Sequence, residues 1–140
     1  MMPDALKIHL CDIQGRLFEL SLKMGFASET FINVFMRSRC AEDYDMIHHK
    51  LQWMGESYLM EEVIDECTGK LVVGEQYSKE EMYWIGYAYR YWHFLTGENS
   101  KAISKQVPAK VMRNGYEGFH TEDISLAIED LKQVAKLGNR

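Results

Sequence analysis

Aromatic side chains crowd one continuous segment of this chain. Seven of the fourteen residues at 82–95 are aromatic, namely Tyr83, Trp84, Tyr87, Tyr89, Tyr91, Trp92 and Phe94. Ser78 and Glu81 precede the segment at the spacing of a helix capping box, and Gly97 follows it where a helix commonly ends. Because a helix that is apolar on all sides is normally buried, we predict that this segment forms a central helix around which the other helices pack.

Helical patterns also account for most of the remaining sequence. We predict further helices at 5–24, after Ser28, at 43–67, at 100–106, after Pro108 and at 121–137. Residues 37–44 are predicted to connect two helices, and residues 114–118, which include two glycines, to form a turn. Only residues 70–77 look extended, and a single such segment cannot form a sheet. The sequence therefore predicts a single all-α domain over residues 1–140, a compact bundle of five to six helices around the central aromatic helix, with at most one short hairpin near residues 70–77.

The first predicted helix carries an apolar heptad pattern. Its apolar residues are spaced alternately four and three positions apart, at Leu6, Leu10, Ile13, Leu17, Leu20 and Met24. Such a seam packs lengthwise against another helix, and fewer than three heptads is short for a coiled coil. Two interpretations follow, packing within the same chain or a homodimer through the seam at residues 6–24.

The distribution of charge limits the classes of partner. The chain has 16 basic and 21 acidic residues, a net charge of −5, and residues 1–77 alone contain 7 basic and 13 acidic residues. Proteins that bind nucleic acid usually present a basic field, so this balance disfavours nucleic acid and favours a basic protein partner. In the alternative, a DNA-binding regulator, residues 97–113 form a helix-turn-helix. Its basic residues are Lys101, Lys105, Lys110 and Arg113.

The cysteines and the apolar segments indicate a compartment. Cys11, Cys40 and Cys67 are odd in number and far apart in sequence, which argues against a disulfide framework and against a paired-cysteine metal site. The first residues show no basic stretch followed by an apolar run, and no apolar stretch reaches the length of a membrane span. We therefore expect a cytoplasmic protein with no membrane partner.

The aromatic segment is the first candidate for a binding surface. Its four tyrosines need partners for their hydroxyl groups, so part of the helix should reach the surface. Tyrosine, tryptophan and arginine are also the residue types enriched in interface hot spots. The residues predicted to bind a partner are Tyr83, Tyr87, Arg90, Tyr91 and His93. The alternative is that the segment serves only as a core.

A group of acidic residues near the end of the helix predicted at 43–67 is the second candidate. Its members are Glu61, Glu62, Asp65 and Glu66. They form like-charged pairs one helical turn apart, at the end of a helix where the helix dipole disfavours negative charge. Negative charges that destabilise a helix in this way, with no compensating partner in the sequence, indicate a functional role. We predict that Glu62, Asp65 and Glu66 steer a basic partner, the alternatives being a solvated acidic face or a cation site.

Signals for catalysis and for metal binding are sparse. Asp45 and His49 lie one turn apart on a predicted helix, but no zinc-type spacing of cysteine and histidine accompanies them, so we predict neither a metal site nor a cofactor. Arg113, Asn114 and His120 resemble the short motif of HEPN-type ribonucleases, which are all-α. There, arginine and histidine would act on a 2′-hydroxyl and a phosphate. This resemblance implies an alternative function, that of a HEPN-like ribonuclease with these three residues in its catalytic site.

Four short stretches together resemble one known family. They are residues 84–97 (WIGYAYRYWHFLTG), 108–110 (PAK), 118–121 (GFHT) and 127–131 (AIEDL). The family consists of small bacterial proteins that are encoded beside ADP-ribosyltransferase-like toxin genes, chiefly in Firmicutes, and are regarded as antitoxins or accessory components. The resemblance covers about residues 45–132 and carries no catalytic residue over. It implies a non-enzymatic protein that neutralises a partner toxin by direct binding.

Overall fold

Eight α-helices form in residues 4–46 and 49–138, the part of the chain that the computed structural model describes. They are α1 (Asp4–Lys23), α2 (Ser28–Met36), α3 (Arg39–Asp45), α4 (Glu56–Glu66), α5 (Lys79–Thr96), α6 (Ser100–Gln106), α7 (Ala109–Phe119) and α8 (Ile124–Gly138). Lys50–Trp53 forms a short 3₁₀ helix between α3 and α4. The all-α prediction is confirmed, since these residues contain no strand, but the helices outnumber the predicted five to six.

The helix predicted at 43–67 is interrupted. α3 ends at Asp45, the 3₁₀ helix follows, and α4 begins only after Gly55, which is its N-cap. Residues 47 and 48, which the prediction included, lie outside the described part of the chain. Leu51 of the 3₁₀ helix and Leu59 of α4 are both buried, so the apolar spacing reflects burial on two separate elements.

Two segments predicted as loops are helical. Residues 37–44 belong mostly to α3, which begins after Ser38 because the Ser38 hydroxyl accepts a hydrogen bond of 3.0 Å from the backbone N–H three residues on. Residues 114–118 lie inside α7. A Cβ atom at Gly115 would come within 2.7 Å of Leu131 in α8. This glycine therefore serves the close packing of α7 against α8 and does not mark a turn.

Helix α5 is the central element that the aromatic segment predicts. Ser78 accepts a hydrogen bond from the backbone N–H of Glu81 at 3.1 Å, and the Glu81 carboxylate accepts one from the backbone N–H of Ser78 at 2.9 Å. Gly97 ends the helix in the left-handed conformation, with φ of 78°. Between these caps α5 packs against α1, α6, α7 and α8. Its buried apolar residues include Met82, Ile85, Ala88, Tyr89 and Trp92.

The most extensive helix contact is between α1 and α5. Gly15 and Gly86 allow the two backbones to approach, because a Cβ atom on Gly86 would lie 2.6 Å from the carbonyl oxygen of Gln14. Three residues of the heptad seam are buried in the core: Leu10, Ile13 and Leu17. These three residues of the seam therefore pack within the chain, whereas Leu6 and Leu20 are half-buried and Met24 is exposed. A homodimer through residues 6–24 stays a prediction.

The extended segment at residues 70–77 pairs with the connection between α1 and α2. Val73 forms an isolated antiparallel bridge with Phe26, and the backbone N–H of Ala27 donates to the Val72 carbonyl at 2.7 Å. The partner is distant in sequence, so the segment is not an arm of a local hairpin. Its backbone hydrogen bonds instead connect the residues before α2 to the segment that precedes α5.

Two features of the described residues bear on the predicted compartment. All three cysteines are buried and free. Burial raises the pKa of Cys11 and of Cys40 to about 12, which keeps both groups as unreactive thiols. None of the described helices combines the length and the apolar character needed to cross a bilayer.

Candidate functional site

Arg90 lies at the centre of a buried polar cluster. Its side chain is 1% exposed. The guanidinium donates to Gln14 Oε1 at 2.8 Å, to Asp45 Oδ1 at 2.5 Å and to Ser100 Oγ at 3.2 Å, and it lies 4.5 Å from the ring centre of Tyr44. These contacts join α5 to α1, α3 and α6. Contrary to the sequence prediction, Arg90 is not accessible to a partner.

Asp45 and His93 belong to the same interior cluster. The Asp45 carboxylate also accepts hydrogen bonds from the backbone N–H of Ser100 at 2.8 Å and from its hydroxyl at 2.7 Å. His93 Nδ1 lies 2.6 Å from the carbonyl oxygen of Glu98, and Nε2 lies 3.1 Å from that of Asp45. With only 14% of its side chain exposed, His93 orders the end of α5 and offers little surface to a partner.

The buried ring of His93 makes the stability of the fold dependent on pH. Burial and the neighbouring Arg90 guanidinium lower the pKa of His93 below its ordinary value of 6.5. As the pH falls through 6.5, the unfolded chain takes up a proton on this ring before the folded chain does, so folding is progressively destabilised.

We therefore expect the free energy of unfolding, measured by urea denaturation on both sides of pH 6.5, to fall towards acidic pH. The His93→Gln variant should lose less stability over the same interval, because its side chain does not titrate. An equal loss in both proteins would show that other groups carry the acid sensitivity.

Tyr83, Tyr87 and Tyr91 form a row of rings along one edge of α5, here called the tyrosine row. The ring centres of Tyr83 and Tyr87 are 6.0 Å apart and those of Tyr87 and Tyr91 are 6.4 Å apart. All three side chains are half-buried. The Tyr83 hydroxyl donates to Asp12 Oδ1 at 2.5 Å, and burial together with this bond raises the pKa of Tyr83. The structure thus brings together the three predicted tyrosines and excludes Arg90 from their surface.

Open cavities lie at both ends of the tyrosine row. At the Tyr83 end, a cavity of about 660 Å³ extends across α1 and reaches Glu56 and Ser57 at the start of α4. At the Tyr91 end, a cavity of about 340 Å³ lies between α1 and α5. Besides Tyr91 it is lined by apolar Ile8, Phe94 and Leu95 and by charged Asp4 and Lys7. Ile8 and Leu95 are 46% and 47% exposed. The row therefore lies on an accessible surface with an apolar end.

The predicted acidic residues lie on the outer surface of α4. Glu61, Glu62 and Asp65 are exposed. Glu66 accepts hydrogen bonds from the first two backbone N–H groups of α3, at 2.7 Å and 2.9 Å, so it caps that helix. Glu62 lies ~9 Å along the helix axis from Glu56. The acidic residues are thus placed beyond the cavity and not beside the tyrosine row.

The residues of the ribonuclease-like motif have separate surroundings. Arg113 lies 4.5 Å from the ring centre of Tyr77 and 3.5 Å from the Glu81 carboxylate. His120 follows seven residues later, ~10 Å further along α7, and Asn114 is exposed. The structure therefore does not bring Arg113 and His120 together into one site.

The lysines of the alternative DNA-binding segment are on the surface. Residues 97–113 form α6 and the first part of α7, and Lys101, Lys105 and Lys110 are exposed. Arg113, in contrast, is engaged with the Glu81 carboxylate. Three lysines on two short helices give a small basic region in a chain of net charge −5.

Asp45 and His49 have other partners than a metal. Asp45 is bonded to Arg90 and Ser100, and His49 accepts a hydrogen bond of 3.2 Å from the backbone N–H of Leu51 at the start of the 3₁₀ helix. Within residues 4–46 and 49–138, no three potential ligands cluster in a way that could hold a metal ion.

Sequence reasoning missed a second aromatic group, which α7 contributes. The ring of Tyr116 lies 5.8 Å from Trp84 at 82°, and it stacks on His120 at 4.1 Å and 7°. Together with Tyr83, these rings line a cavity of about 360 Å³. Because residues 114–118 were predicted to form a turn, the contact between Tyr116 and His120 was not predicted. Only a helix places residues 116 and 120 one turn apart on the same face.

No family model matches the chain, and comparisons with curated proteins and with solved structures found no match either. The resemblance to toxin-linked bacterial proteins therefore stays a prediction. The features of the molecule that bear on its function are the tyrosine row, the distribution of charge and the cavities beside the row.

Proposed function

We propose that this chain is a non-enzymatic binding protein, an antitoxin or accessory component of a bacterial toxin–antitoxin module that neutralises its partner by direct contact in the cytoplasm. The tyrosine row is the single observation that carries the proposal. It combines three ordered rings with an accessible, partly apolar surface along the edge of α5.

The tyrosine row suits a protein interface because its rings are already ordered. Tyrosine buries a large area and has few rotatable bonds, so fixing it in a complex costs little entropy. Tyr83 is held by its hydrogen bond to Asp12, and Tyr87 is held between two neighbouring rings. The exposed side chains of Ile8 and Leu95 extend the contact area at the far end. These are features of an interface centre with rigid aromatic anchors.

The charge of the chain supports a basic partner. The net charge is −5, and Glu62 and Asp65 on α4 are exposed. Glu66 is engaged in capping α3, so Glu62 and Asp65 are the residues that remain for steering. Exposed charges outside the contact area act at long range, so they mainly accelerate association and affect the lifetime of a complex less. We assign the acidic residues of α4 to steering and the tyrosine row to affinity.

Co-expression with the protein encoded next to this chain's gene tests the proposal. If that protein is the toxin, its expression alone should stop growth, co-expression with this chain should restore it, and the two proteins should co-elute in size-exclusion chromatography. Restored growth without a complex would contradict neutralisation by direct binding. Continued growth arrest, with this chain present in folded form at equal or higher amounts, would contradict the antitoxin role itself.

A further inference from the structure

A second surface feature adjoins the tyrosine row on the side of α7. We call it the aromatic corner and define it by Trp84, Tyr116, His120, Glu19 and Glu80, which line the cavity of about 360 Å³. The rings of Trp84 and Tyr116 meet nearly at a right angle. Aromatic faces that converge beside carboxylates form a site for an organic cation, because ring quadrupole and negative charge both attract it.

The protein itself uses this combination twice with arginine and once with lysine, where Lys132 lies 5.2 Å from the ring centre of Trp92 and 3.9 Å from Glu98 Oε1. Arg90 lies 4.5 Å from the ring centre of Tyr44 and is bonded to the Asp45 carboxylate. Arg113 lies 4.5 Å from the ring centre of Tyr77 and 3.5 Å from a carboxylate oxygen of Glu81. In both arginine cases the guanidinium lies over a ring and beside a carboxylate. A planar guanidinium, with one face for a ring and several N–H groups for a carboxylate, suits this arrangement better than the ammonium of lysine.

The aromatic corner has the rings and the carboxylates but not the arginine. In residues 4–46 and 49–138, no lysine or arginine side chain lies over the ring of Trp84 or of Tyr116. Lys79 is the basic residue that lines this cavity. Its ammonium is 3.8 Å from Glu19 Oε2, and its side chain is 73% exposed. Such an exposed ion pair is weak, so an incoming cation can displace it.

His120 adds a third ring to the same cavity. Its Nδ1 lies 2.7 Å from the backbone carbonyl oxygen of Tyr116, and a carbonyl only accepts hydrogen bonds, so Nδ1 is the donor in this contact. The ring stacks on Tyr116 and enlarges the aromatic surface of the corner.

We propose that the aromatic corner binds the guanidinium group of an arginine side chain from a partner protein. The group stacks on the exposed surface of Trp84, since the Tyr116 ring is already stacked on His120. Its N–H groups donate to Glu80, and it replaces Lys79 at Glu19. This inference rests on the proposed function only for the source of the arginine. The net charge of −5 independently favours a basic partner surface.

A short peptide tests the site without any partner. The full chain is titrated with acetyl-Gly-Arg-Gly-amide while the indole N–H signals of its three tryptophans are followed by NMR. We expect the signal of Trp84 to shift saturably, with a dissociation constant on the order of millimolar as for one isolated side chain. The signals of exposed Trp53 and buried Trp92 should stay in place, and the same peptide with glutamine in place of arginine should have no effect.

Variants of exposed charged residues keep the test independent of folding. Glu80→Gln should weaken peptide binding about three- to five-fold, as expected for one exposed charge contact. Trp84→Leu should abolish binding, which in this variant is followed through the NMR signals of the peptide because the reporting indole is absent. Lys79→Gln should strengthen binding about two- to three-fold because it removes the competing ammonium. Lys101→Gln on α6 makes the same change of net charge away from the cavity and should leave the affinity unchanged.

Three outcomes overturn the proposal: no shift of the Trp84 signal, equal binding of a lysine peptide, or equal strengthening by Lys79→Gln and Lys101→Gln. The last would mean that the peptide senses only the overall charge. Peptide binding by a chain that fails to rescue growth would contradict the proposed function alone. Rescue by a chain that does not bind the peptide would contradict the aromatic corner alone.

Discussion

Replacing Arg90 with methionine should lower the free energy of unfolding by about 3–5 kcal/mol, the usual cost of removing one partner of a buried ion pair. The variant leaves the Asp45 carboxylate, 8% exposed, without its guanidinium partner. It also removes the donor to Gln14 and the contact with Tyr44, which tie α5 to α1 and α3. Urea denaturation followed by circular dichroism measures the loss.

The Arg113→Met variant is the matched control for Arg90. Arg113 also stacks on a tyrosine beside a carboxylate, but its side chain is 39% exposed. Exposed ion pairs contribute little, so we expect a change below ~1 kcal/mol. Similar losses in the two variants would show that burial of the Arg90 cluster does not decide its contribution to stability.

The second large effect is expected at the crossing of α1 and α5. A Cβ atom on Gly86 would lie 2.6 Å from the carbonyl oxygen of Gln14 and 3.0 Å from Cα of Gly15. Because both of these neighbours are backbone atoms, α1 and α5 must move apart to make room for the alanine methyl group. We expect Gly86→Ala to cost about 1–3 kcal/mol, although alanine is the better helix former by about 1 kcal/mol.

Gly118→Ala separates the effect of the crossing from helix propensity. Gly118 also lies in a helix, α7. Apart from its chain neighbours and the adjacent backbone of the same helix, no atom lies within 4 Å of the position that its Cβ would take. This variant should therefore gain about 0.5–1 kcal/mol. If thermal and urea denaturation show that both alanines stabilise the protein, the close contact of α1 and α5 does not exist in solution.

The elements that were predictable from sequence are those specified by adjacent residues. Ser78, Glu81 and Gly97 delimit α5 through local hydrogen bonds and backbone conformation, and the structure contains all three features. The interruption of the helix predicted at 43–67 was not predictable in the same way. Asp45, at the end of α3, is bonded to Arg90 and Ser100, partners 45 and 55 residues away, and no local pattern records such distances.

The candidate site shows the same division. The spacing of the three tyrosines places them on one edge of a helix, and their need for hydroxyl partners indicates that the edge reaches the surface. Arg90 lies on the same helix, but its burial depends on a carboxylate contributed by α3. A charged residue is seldom fully buried unless it is paired, so the sequence favoured an exposed Arg90. Tyr116 was missed because glycines within α7 have the composition of a turn.

The residues of α5 therefore divide into two groups with different tasks. Arg90, Tyr89 and Trp92 are buried and hold the bundle together through the polar cluster and the apolar contacts. Tyr83, Tyr87 and Tyr91 are half-buried, and open cavities lie beside Tyr83 and Tyr91. We expect variants of the buried residues to change stability and variants of the tyrosine row to change binding.

Calorimetric titration of the purified partner into the chain tests this division most directly, with Tyr91→Ala compared against Trp53→Ala. Trp53, in the 3₁₀ helix, is a larger and more exposed aromatic residue, 71% exposed, and it lines neither cavity beside the tyrosine row. With both variants folded, we expect Tyr91→Ala to weaken binding by at least about ten-fold, as for a hot-spot residue, and Trp53→Ala to leave it within about two-fold. Unchanged affinity for Tyr91→Ala, or a larger loss for Trp53→Ala, would contradict binding through the edge of α5.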